Sequence, residues 1–366
     1  MGTIQAAVMD KIGDAIRVRI DEFPRPELEP GAALLETIYS EVCGTDVHLL
    51  HGRLEGVPYP IIPGHVSVGT IEEIAGKVTD IEGRRFRDGD KVTFLDVHET
   101  CNACWHCLVA KATTRCPHRK VYGITYSARD GLLGGWSQRI YIKPGVKLIR
   151  LPESLAPEDF IAGGCGAPTG LHAVERAAVG LDDFVVVQGG GPVGLSAAIF
   201  SLLSGAGAVA VVDPAVARID AARSIGVDHT VDASSAADRV AAVLELTGGR
   251  GADVTIEASG NPEAVAEGLL MTRDNGTYAI AGQYTDTGDV TLNPHRLINK
   301  KHIDIRGVWG TDFSHLYKAV QLMARHKGRF PLKRLISKTY PLQEVETALA
   351  DVDHRRVVKA VIAPNL

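Results

Sequence analysis

The spacing of apolar and polar positions changes near the middle of this chain. Through residues 1–160, short runs of apolar and β-branched residues are broken by Gly, Pro and Asp clusters, for example at 24–26, 58–60 and 88–90. These residue types interrupt extended segments because they favour turn conformations. The pattern predicts mostly β structure with long loops.

From about residue 168, apolar runs alternate with segments that can form helices. The runs lie at 184–187, 209–212, 253–257, 277–281 and 303–308. Such alternation is typical of βαβ units, which build a parallel sheet. Further along, the pattern predicts helices over 313–326 and 343–351 and a closing strand over 357–362. The fold class predicted is therefore α/β.

Length and composition narrow this picture. A chain of 366 residues with 45% hydrophobic residues exceeds what one core usually supports, so two domains are expected. The net charge of -5 provides no basic surface for nucleic acid or an anionic membrane. No apolar stretch approaches the roughly 18 residues of a membrane span, and the N-terminus has no secretory-signal pattern. We expect a cytoplasmic protein with small-molecule partners.

A glycine motif lies between a predicted strand at 184–187 and a predicted helix at 192–204. Gly189, Gly191 and Gly194 match G-x-G-x-x-G, which permits a tight turn and close approach of a pyrophosphate to the helix N-terminus. Asp213 ends the next apolar run, where a carboxylate can bind the adenosine ribose hydroxyls and repel the extra phosphate of NADP. The motif predicts an NAD site.

Two alternatives remain for this segment. The glycines could form an ordinary β–α turn, with Asp213 capping a helix ahead of Pro214. Arg218, five residues past Asp213, could reach the ribose edge, which keeps NADP as a second cofactor interpretation.

Four cysteines lie close together between about residues 98 and 118. Four thiolates from one loop suit tetrahedral zinc and leave no position for a substrate, so we predict a structural site. Disulfides are disfavoured by the cytoplasmic character of the chain, and an iron–sulfur cluster is the other alternative. The four residues are Cys101, Cys104, Cys107 and Cys116.

The other two cysteines, Cys43 and Cys165, gain meaning from His65. Two thiolates and one imidazole make the ligand set of a catalytic zinc that keeps its fourth position free. Asp46 is a candidate to orient the His65 imidazole. Taken alone, His65 would be a structural histidine and Cys165 a buried apolar residue.

Together these motifs resemble the zinc-containing medium-chain alcohol dehydrogenases over essentially the full chain. The matching runs are Cys-x-Thr-Asp-x-His at 43–48, Gly-His at 64–65, the four cysteines, Gly-Cys-Gly-x-x-Thr-Gly at 164–170, the glycine motif and Asp213. The resemblance implies a GroES-like, mostly-β catalytic domain at 1–160 that carries the structural zinc lobe. It further implies a Rossmann domain at 161–309 and a return to the catalytic domain at 310–366.

The resemblance also implies roles for individual residues. Cys43, His65 and Cys165 hold the catalytic zinc, and hydride passes from a zinc-bound alkoxide to NAD. Thr45 and His48 match the proton relay of the family. The expected cofactor contacts are Thr169, Val193, Gly282 and Val308 around the nicotinamide, Arg218 beside the adenosine ribose and Lys359 near the pyrophosphate.

One departure from the family pattern concerns the residue after the ligand histidine. The family usually has Glu there, a carboxylate that helps zinc exchange its ligands, whereas this chain has Val66. Polyol and threonine dehydrogenases of the same superfamily generally use Glu as the third ligand, and Cys165 favours the alcohol dehydrogenase type instead.

Fewer residues of the sequence indicate the substrate than indicate the metal and cofactor sites. Leu54, Val97 and Trp136 are expected to line an apolar pocket with one large ring, although each could equally be core packing. Such a pocket suits a hydrophobic primary or cyclic secondary alcohol. A polyol or threonine dehydrogenase and a catalytically silent dinucleotide-binding protein are the alternatives. A homodimer or homotetramer is expected.

Overall fold

The computed structural model describes residues 2–13, 15–232, 234–328 and 332–366. They form two compact units. Unit 1 consists of Met1–Gly164, Asp312–Arg325 and Ile336–Leu366, and unit 2 consists of Cys165–Thr311 and His326–Leu335. Most of the segment predicted to return to the catalytic domain therefore lies in unit 1, and a short part of it lies in unit 2.

The elements follow one another in an order close to the predicted one. The strands are β1 (Ile4–Ile12), β2 (Ala15–Phe23), β3 (Ala33–Val42), β4 (Ser67–Ile74), β5 (Lys91–Phe94), β6 (Arg139–Ile142), β7 (Leu148–Arg150), β8 (Phe184–Gln188), β9 (Ala208–Val212), β10 (His229–Val231), β11 (Ala252–Glu257), β12 (Thr272–Ile280), β13 (Asp304–Gly307), β14 (Ile336–Pro341) and β15 (Lys359–Ala363). The helices are α1 (Gly44–Leu50), α2 (Trp105–Leu108), α3 (Pro157–Gly163), α4 (Gly166–Ala177), α5 (Pro192–Leu203), α6 (Val216–Ser224), α7 (Ala236–Leu246), α8 (Pro262–Met271), α9 (Phe313–His326) and α10 (Val345–Asp353).

Unit 1 is built on a mixed sheet with the order β14-β15-β3-β4-β5-β7, and β6 also pairs with β3. Strand β15 is buried along its whole length, which explains its apolar sequence. It runs antiparallel to β3, with Val361 opposite Glu41 and Ala360 opposite Val42. The last strand of the chain therefore lies beside the strand that leads into Cys43.

Unit 2 is built on a parallel sheet with the order β10-β9-β8-β11-β12-β13. Its first strand, β8, is central. Strands β9 and β10 are added on one side of β8, and β11 to β13 on the other, so the strand order switches between β8 and β11. In open parallel sheets, ligands bind beyond the carboxyl ends of the strands at such a point. Val185, Val186 and Val187 have no exposed surface, as expected for a strand covered on both faces.

The two sheets confirm the predicted α/β class, with mostly β structure in the first part of the chain and a Rossmann-type sheet in the second. Among the described residues, no helix is both long and apolar enough to cross a bilayer.

Candidate active site and metal centres

The four clustered cysteines converge on one point in unit 1. Their sulfur atoms all lie within 4.8 Å of one another, and the Cys104–Cys107 and Cys101–Cys116 pairs are each 3.6 Å apart. A tetrahedral zinc with bonds of about 2.3 Å to sulfur separates its ligands by about 3.8 Å, whereas a disulfide bond measures about 2.05 Å. All six cysteines are free thiols. The geometry fits a closed four-thiolate metal site.

A second group of donors contains Cys43, His65, Cys165 and, in addition, Glu41. Their ligand atoms also lie within 4.8 Å of one another. Cys165 is the residue at which unit 2 begins, directly after Gly164. The sequence indicated three of these four residues; Glu41 was not identified.

The start of helix α1 holds the Cys43 thiol. Its sulfur accepts a hydrogen bond from the Thr45 amide at 3.3 Å, and its own amide donates to Asp46 Oδ2 at 2.8 Å. Cys43 is the helix N-cap, so the free amides of the first turn surround the thiol. The hydrogen bond from the Thr45 amide therefore fixes the position of the sulfur that would bind a metal.

His65 is buried, and its Nδ1 atom makes no hydrogen bond within the described part of the chain. Burial alone would lower its pKa, but negative charges outweigh burial and raise the pKa to about 9; they belong to Cys43, Asp96, Asp46 and Glu41. An imidazole set among thiols and carboxylates is chemically suited to zinc, and Nε2 is the nitrogen beside the Glu41 carboxylate. The residues therefore fit the metal that the ligand set implies.

Asp46 lies in the first turn of α1, beside Cys43. One oxygen accepts from the Cys43 amide, while Oδ1 has no hydrogen bond among the described residues, and neither oxygen bonds the His65 ring. Burial raises the pKa of Asp46. Its carboxylate fixes the chain at Cys43 and acts on His65 through its charge, and the predicted orientation of the imidazole by Asp46 stays a prediction.

Lys359 makes a contact that the sequence did not indicate. Its side chain is 1% exposed, and its ammonium forms an ion pair with Glu41, which is 0% exposed. Separating this buried pair would be costly, so Glu41 fixes the position of the ammonium. The expected pyrophosphate contact of Lys359 stays a prediction.

Thr45 and His48 lie three residues apart on α1, and such residues share one face of a helix. His48 is half-buried. Burial lowers its pKa, and the positive charges of Arg53 and His51 lower it further. The neutral imidazole therefore predominates at neutral pH and is able to accept a proton.

The glycine motif forms the turn between β8 and α5. Gly189 has a φ of 102°, a value that residues other than glycine rarely adopt. A Cβ on Gly194 would overlap the Gly189 carbonyl. The Gly190 amide donates to Asp213 Oδ2 at 2.8 Å, so the acid at the end of β9 holds the loop.

Asp213 has further partners on its own side of the sheet. Its Oδ1 accepts from the Ala215 amide at 2.8 Å, in the turn before α6, and Arg218 lies 3.4 Å from Oδ2. The Arg218 guanidinium would be 3.9 Å from a Cβ on Gly191, so it lies beside the glycine loop. The N-cap of α6 is Ala215, with no side-chain cap, so Asp213 does not cap this helix; the acid and the arginine adjoin the glycine loop.

The remaining cofactor candidates lie in unit 2, several at the carboxyl ends of strands. Gly282 and Val308 follow β12 and β13, Val193 is in the first turn of α5, and the Thr169 hydroxyl donates to the Cys165 carbonyl at 2.8 Å. Glu257, a buried residue that the sequence did not indicate, ends β11.

Glu257 fixes two turns at this end of the sheet. Its carboxylate accepts from the amides of Ser259 at 2.7 Å, Gly260 at 2.8 Å and Gly282 at 3.0 Å. No residue pattern marks Glu257 in the sequence beyond an acid that ends an apolar run.

The predicted pocket residues are corrected in part. Trp136 has no exposed surface, packs in the core of unit 1 and donates from Nε1 to the Glu41 carbonyl at 3.0 Å. It therefore cannot contact a substrate and serves as a core residue. Leu54 and Val97 are partly buried and pack against the same core.

Comparison with known proteins agrees with this arrangement. Residues 29–153 match the family model described as alcohol dehydrogenase GroES-like domain, and residues 192–325 match the one described as zinc-binding dehydrogenase. The chain is 34% identical to 5-exo-hydroxycamphor dehydrogenase of Pseudomonas putida over 96% of each protein. It is 27% identical to sorbitol dehydrogenase of Gallus gallus, over 98% of this chain and 95% of that protein.

Among solved structures, an alcohol dehydrogenase from Thermotoga maritima superposes with a TM-score of 0.93 at 30% identity, covering 99% of this chain and 100% of that one. The chain therefore belongs to the zinc-containing medium-chain dehydrogenase family.

Proposed function

We propose that this protein is a zinc- and NAD-dependent alcohol dehydrogenase that oxidises a hydrophobic primary or cyclic secondary alcohol to the aldehyde or ketone. Family membership makes the chain an oxidoreductase of the alcohol and polyol dehydrogenase type. The observation that carries the finer proposal is the convergence of the Cys43, His65 and Cys165 donor atoms within 4.8 Å.

Two zinc ions per chain are part of this proposal. Cys43, His65 and Cys165 would hold the catalytic ion, and the four clustered cysteines would hold the structural one. When bound, zinc supplies Lewis acidity that lowers the pKa of an alcohol, and the nicotinamide supplies the hydride acceptor. The protein positions these groups and handles the proton.

Proton removal is assigned to α1. The Thr45 hydroxyl is placed one turn from His48, whose lowered pKa keeps its imidazole neutral. A hydroxyl both donates and accepts, so Thr45 can pass the alcohol proton onward and His48 can accept it. The cofactor ribose would join the two, as the family resemblance implies.

The preference for NAD rests on Asp213. Its carboxylate adjoins the glycine loop and keeps a negative charge where the phosphate of NADP would approach. Arg218 lies on the same carboxylate and offsets part of this charge, which predicts a preference rather than strict exclusion. Thr169, Val193, Gly282 and Val308 would complete the nicotinamide surroundings, and Gly189, Gly191 and Gly194 would receive the pyrophosphate.

For the substrate, a cyclic alcohol has the stronger support. The relative from Pseudomonas putida is named for a hydroxycamphor, and Leu54 and Val97 place apolar side chains in unit 1. The likeness to sorbitol dehydrogenase supports a polyol as the second candidate. Thr45 and the cofactor site are compatible with both, whereas Cys165 favours the alcohol dehydrogenase type.

A substrate panel separates these candidates. Purified protein is assayed for NADH and NADPH formation with cyclic secondary alcohols, linear primary alcohols, sorbitol and threonine. We expect the highest kcat/KM with NAD and a cyclic or hydrophobic alcohol. Turnover confined to sorbitol or threonine would establish the second candidate, and NAD binding without turnover of any alcohol would support a catalytically silent protein. Light scattering of the same sample measures the expected homodimer or homotetramer.

A further inference from the structure

The carboxylate of Glu41 lies among the donors of the catalytic metal centre, although no sequence motif indicates it. Glu41 Oε1 is 4.0 Å from His65 Nε2, and its ligand atom lies within 4.8 Å of those of Cys43 and Cys165. In tetrahedral zinc sites with bonds of about 2.0 to 2.3 Å, neighbouring donors are about 3.3 to 3.8 Å apart. Four donors at this spacing can therefore share one ion after small side-chain movements.

The backbone explains why Glu41 is there. The Glu41 amide donates to the Val66 carbonyl at 3.2 Å. Glu41 lies two positions before the ligand Cys43, and Val66 directly follows the ligand His65. Position 66 is where the family usually carries a carboxylate, and Val66 supplies none. Strand β3, which pairs with it through this hydrogen bond, carries a carboxylate at position 41 that lies among the metal donors.

The surroundings are shaped to hold this carboxylate. Lys359 pairs with Oε2, and Oε1 is the oxygen on the side of His65. Gly164 has a φ of 47°, and a Cβ there would overlap both the Glu41 carboxylate and the Lys359 ammonium. Glycine at this position is therefore required for the pair to fit.

Charge also balances. Two thiolates offset the charge of a zinc ion, and the Lys359 ammonium offsets that of Glu41, so including this carboxylate leaves the net charge of the centre unchanged. A carboxylate with an ammonium on its other oxygen is a weakened donor, because the ammonium draws electron density away from the metal.

We propose that Glu41 is an exchangeable fourth protein ligand of the catalytic zinc, held by Lys359 so that a substrate oxygen can replace it. This rests on the proposed function, since it requires a metal bound by Cys43, His65 and Cys165. It makes Glu41 of strand β3 the functional substitute for the carboxylate missing at Val66.

The test uses full-length protein loaded with Co2+ and compares wild type with Glu41→Gln/Lys359→Met. The double variant removes both charges together and so leaves no unpaired ion in the core. Electron paramagnetic resonance in oxygen-17-enriched water detects a water molecule on the metal by line broadening. The four-cysteine site holds only sulfur and contributes no broadening. Glu267→Gln, which breaks a carboxylate–arginine pair in unit 2, is the matched control.

We expect no broadening in wild type or in Glu267→Gln and clear broadening in the double variant, together with metal affinity at this site reduced about 10- to 100-fold. Broadening already present in wild type would overturn the proposal, and so would its absence from both wild type and the double variant. Metal analysis separates failure of this proposal from failure of the proposed function. A wild-type chain that binds only the four-cysteine ion refutes the catalytic centre itself.

Discussion

Replacing Gly164 by alanine tests whether the Glu41–Lys359 pair is a fixed part of the active centre. The added Cβ would overlap the carboxylate of Glu41 and the ammonium of Lys359, and the backbone at this residue has a φ of 47°. Gly83 provides a matched control, because it has a φ of 79° and no heavy atom lies within 4 Å of the position that a Cβ would take there.

The expected magnitudes follow from these two environments. A non-glycine residue in a sparsely populated positive-φ conformation costs about 1 to 3 kcal/mol, and both variants carry this cost. Separating a buried ion pair costs about 3 to 5 kcal/mol, and only Gly164→Ala carries it. The free energy of unfolding should therefore fall by about 3 to 5 kcal/mol more in Gly164→Ala than in Gly83→Ala.

Urea denaturation followed by Trp136 fluorescence measures this difference. Trp136 is fully buried and bonded to the Glu41 carbonyl, so its emission reports on unit 1 next to the pair. Trp105 and Trp309 are replaced by Phe in every protein, which makes Trp136 the sole indole. If the two variants unfold within about 1 kcal/mol of each other, the pair is free to move aside and the reasoning about Gly164 is refuted.

Two further predictions concern the proton relay and the cysteine lobe. Burial and two positive neighbours lower the pKa of His48, so the apparent pKa of the acidic limb of the pH profile of kcat/KM should lie below the ordinary histidine value of 6.5. His48→Gln should abolish that limb and lower kcat/KM by about 100-fold. An unchanged profile would remove His48 from the relay. Cys104→Ser should reduce the zinc content from about two ions to about one per chain while the catalytic donors stay intact, as measured by metal analysis; two ions retained would contradict the closed four-thiolate site.

Much of unit 2 could be predicted because its physical causes are local. The strands of a parallel sheet are covered on both faces, so β8 and β9 appear in the sequence as uninterrupted apolar runs. The turn after β8 needs glycine at Gly189 and Gly194 for steric reasons, which leaves a recognisable motif.

The four clustered cysteines of unit 1 were identifiable because one short loop supplies all of them.

The parts that escaped prediction depend on contacts between distant positions. Glu41 and Lys359 are 318 residues apart in sequence, and only the pairing of β3 with β15 brings them together. A glutamate in a strand is ordinarily a solvent-facing residue, so nothing in its neighbourhood marked Glu41 as buried. Trp136 was misplaced for a related reason: a large apolar side chain has the same sequence signature in a pocket and in a core.

The most direct test of the catalytic centre is a joint measurement of zinc content and alcohol-dependent NADH formation in Cys43→Ala, with Cys104→Ser as the matched variant of the other site. We predict that Cys43→Ala retains about one zinc ion per chain, in the four-cysteine lobe, and forms no NADH with alcohols that the wild-type protein oxidises. Alcohol oxidation at the wild-type rate by Cys43→Ala would contradict a catalytic metal held by Cys43, His65 and Cys165.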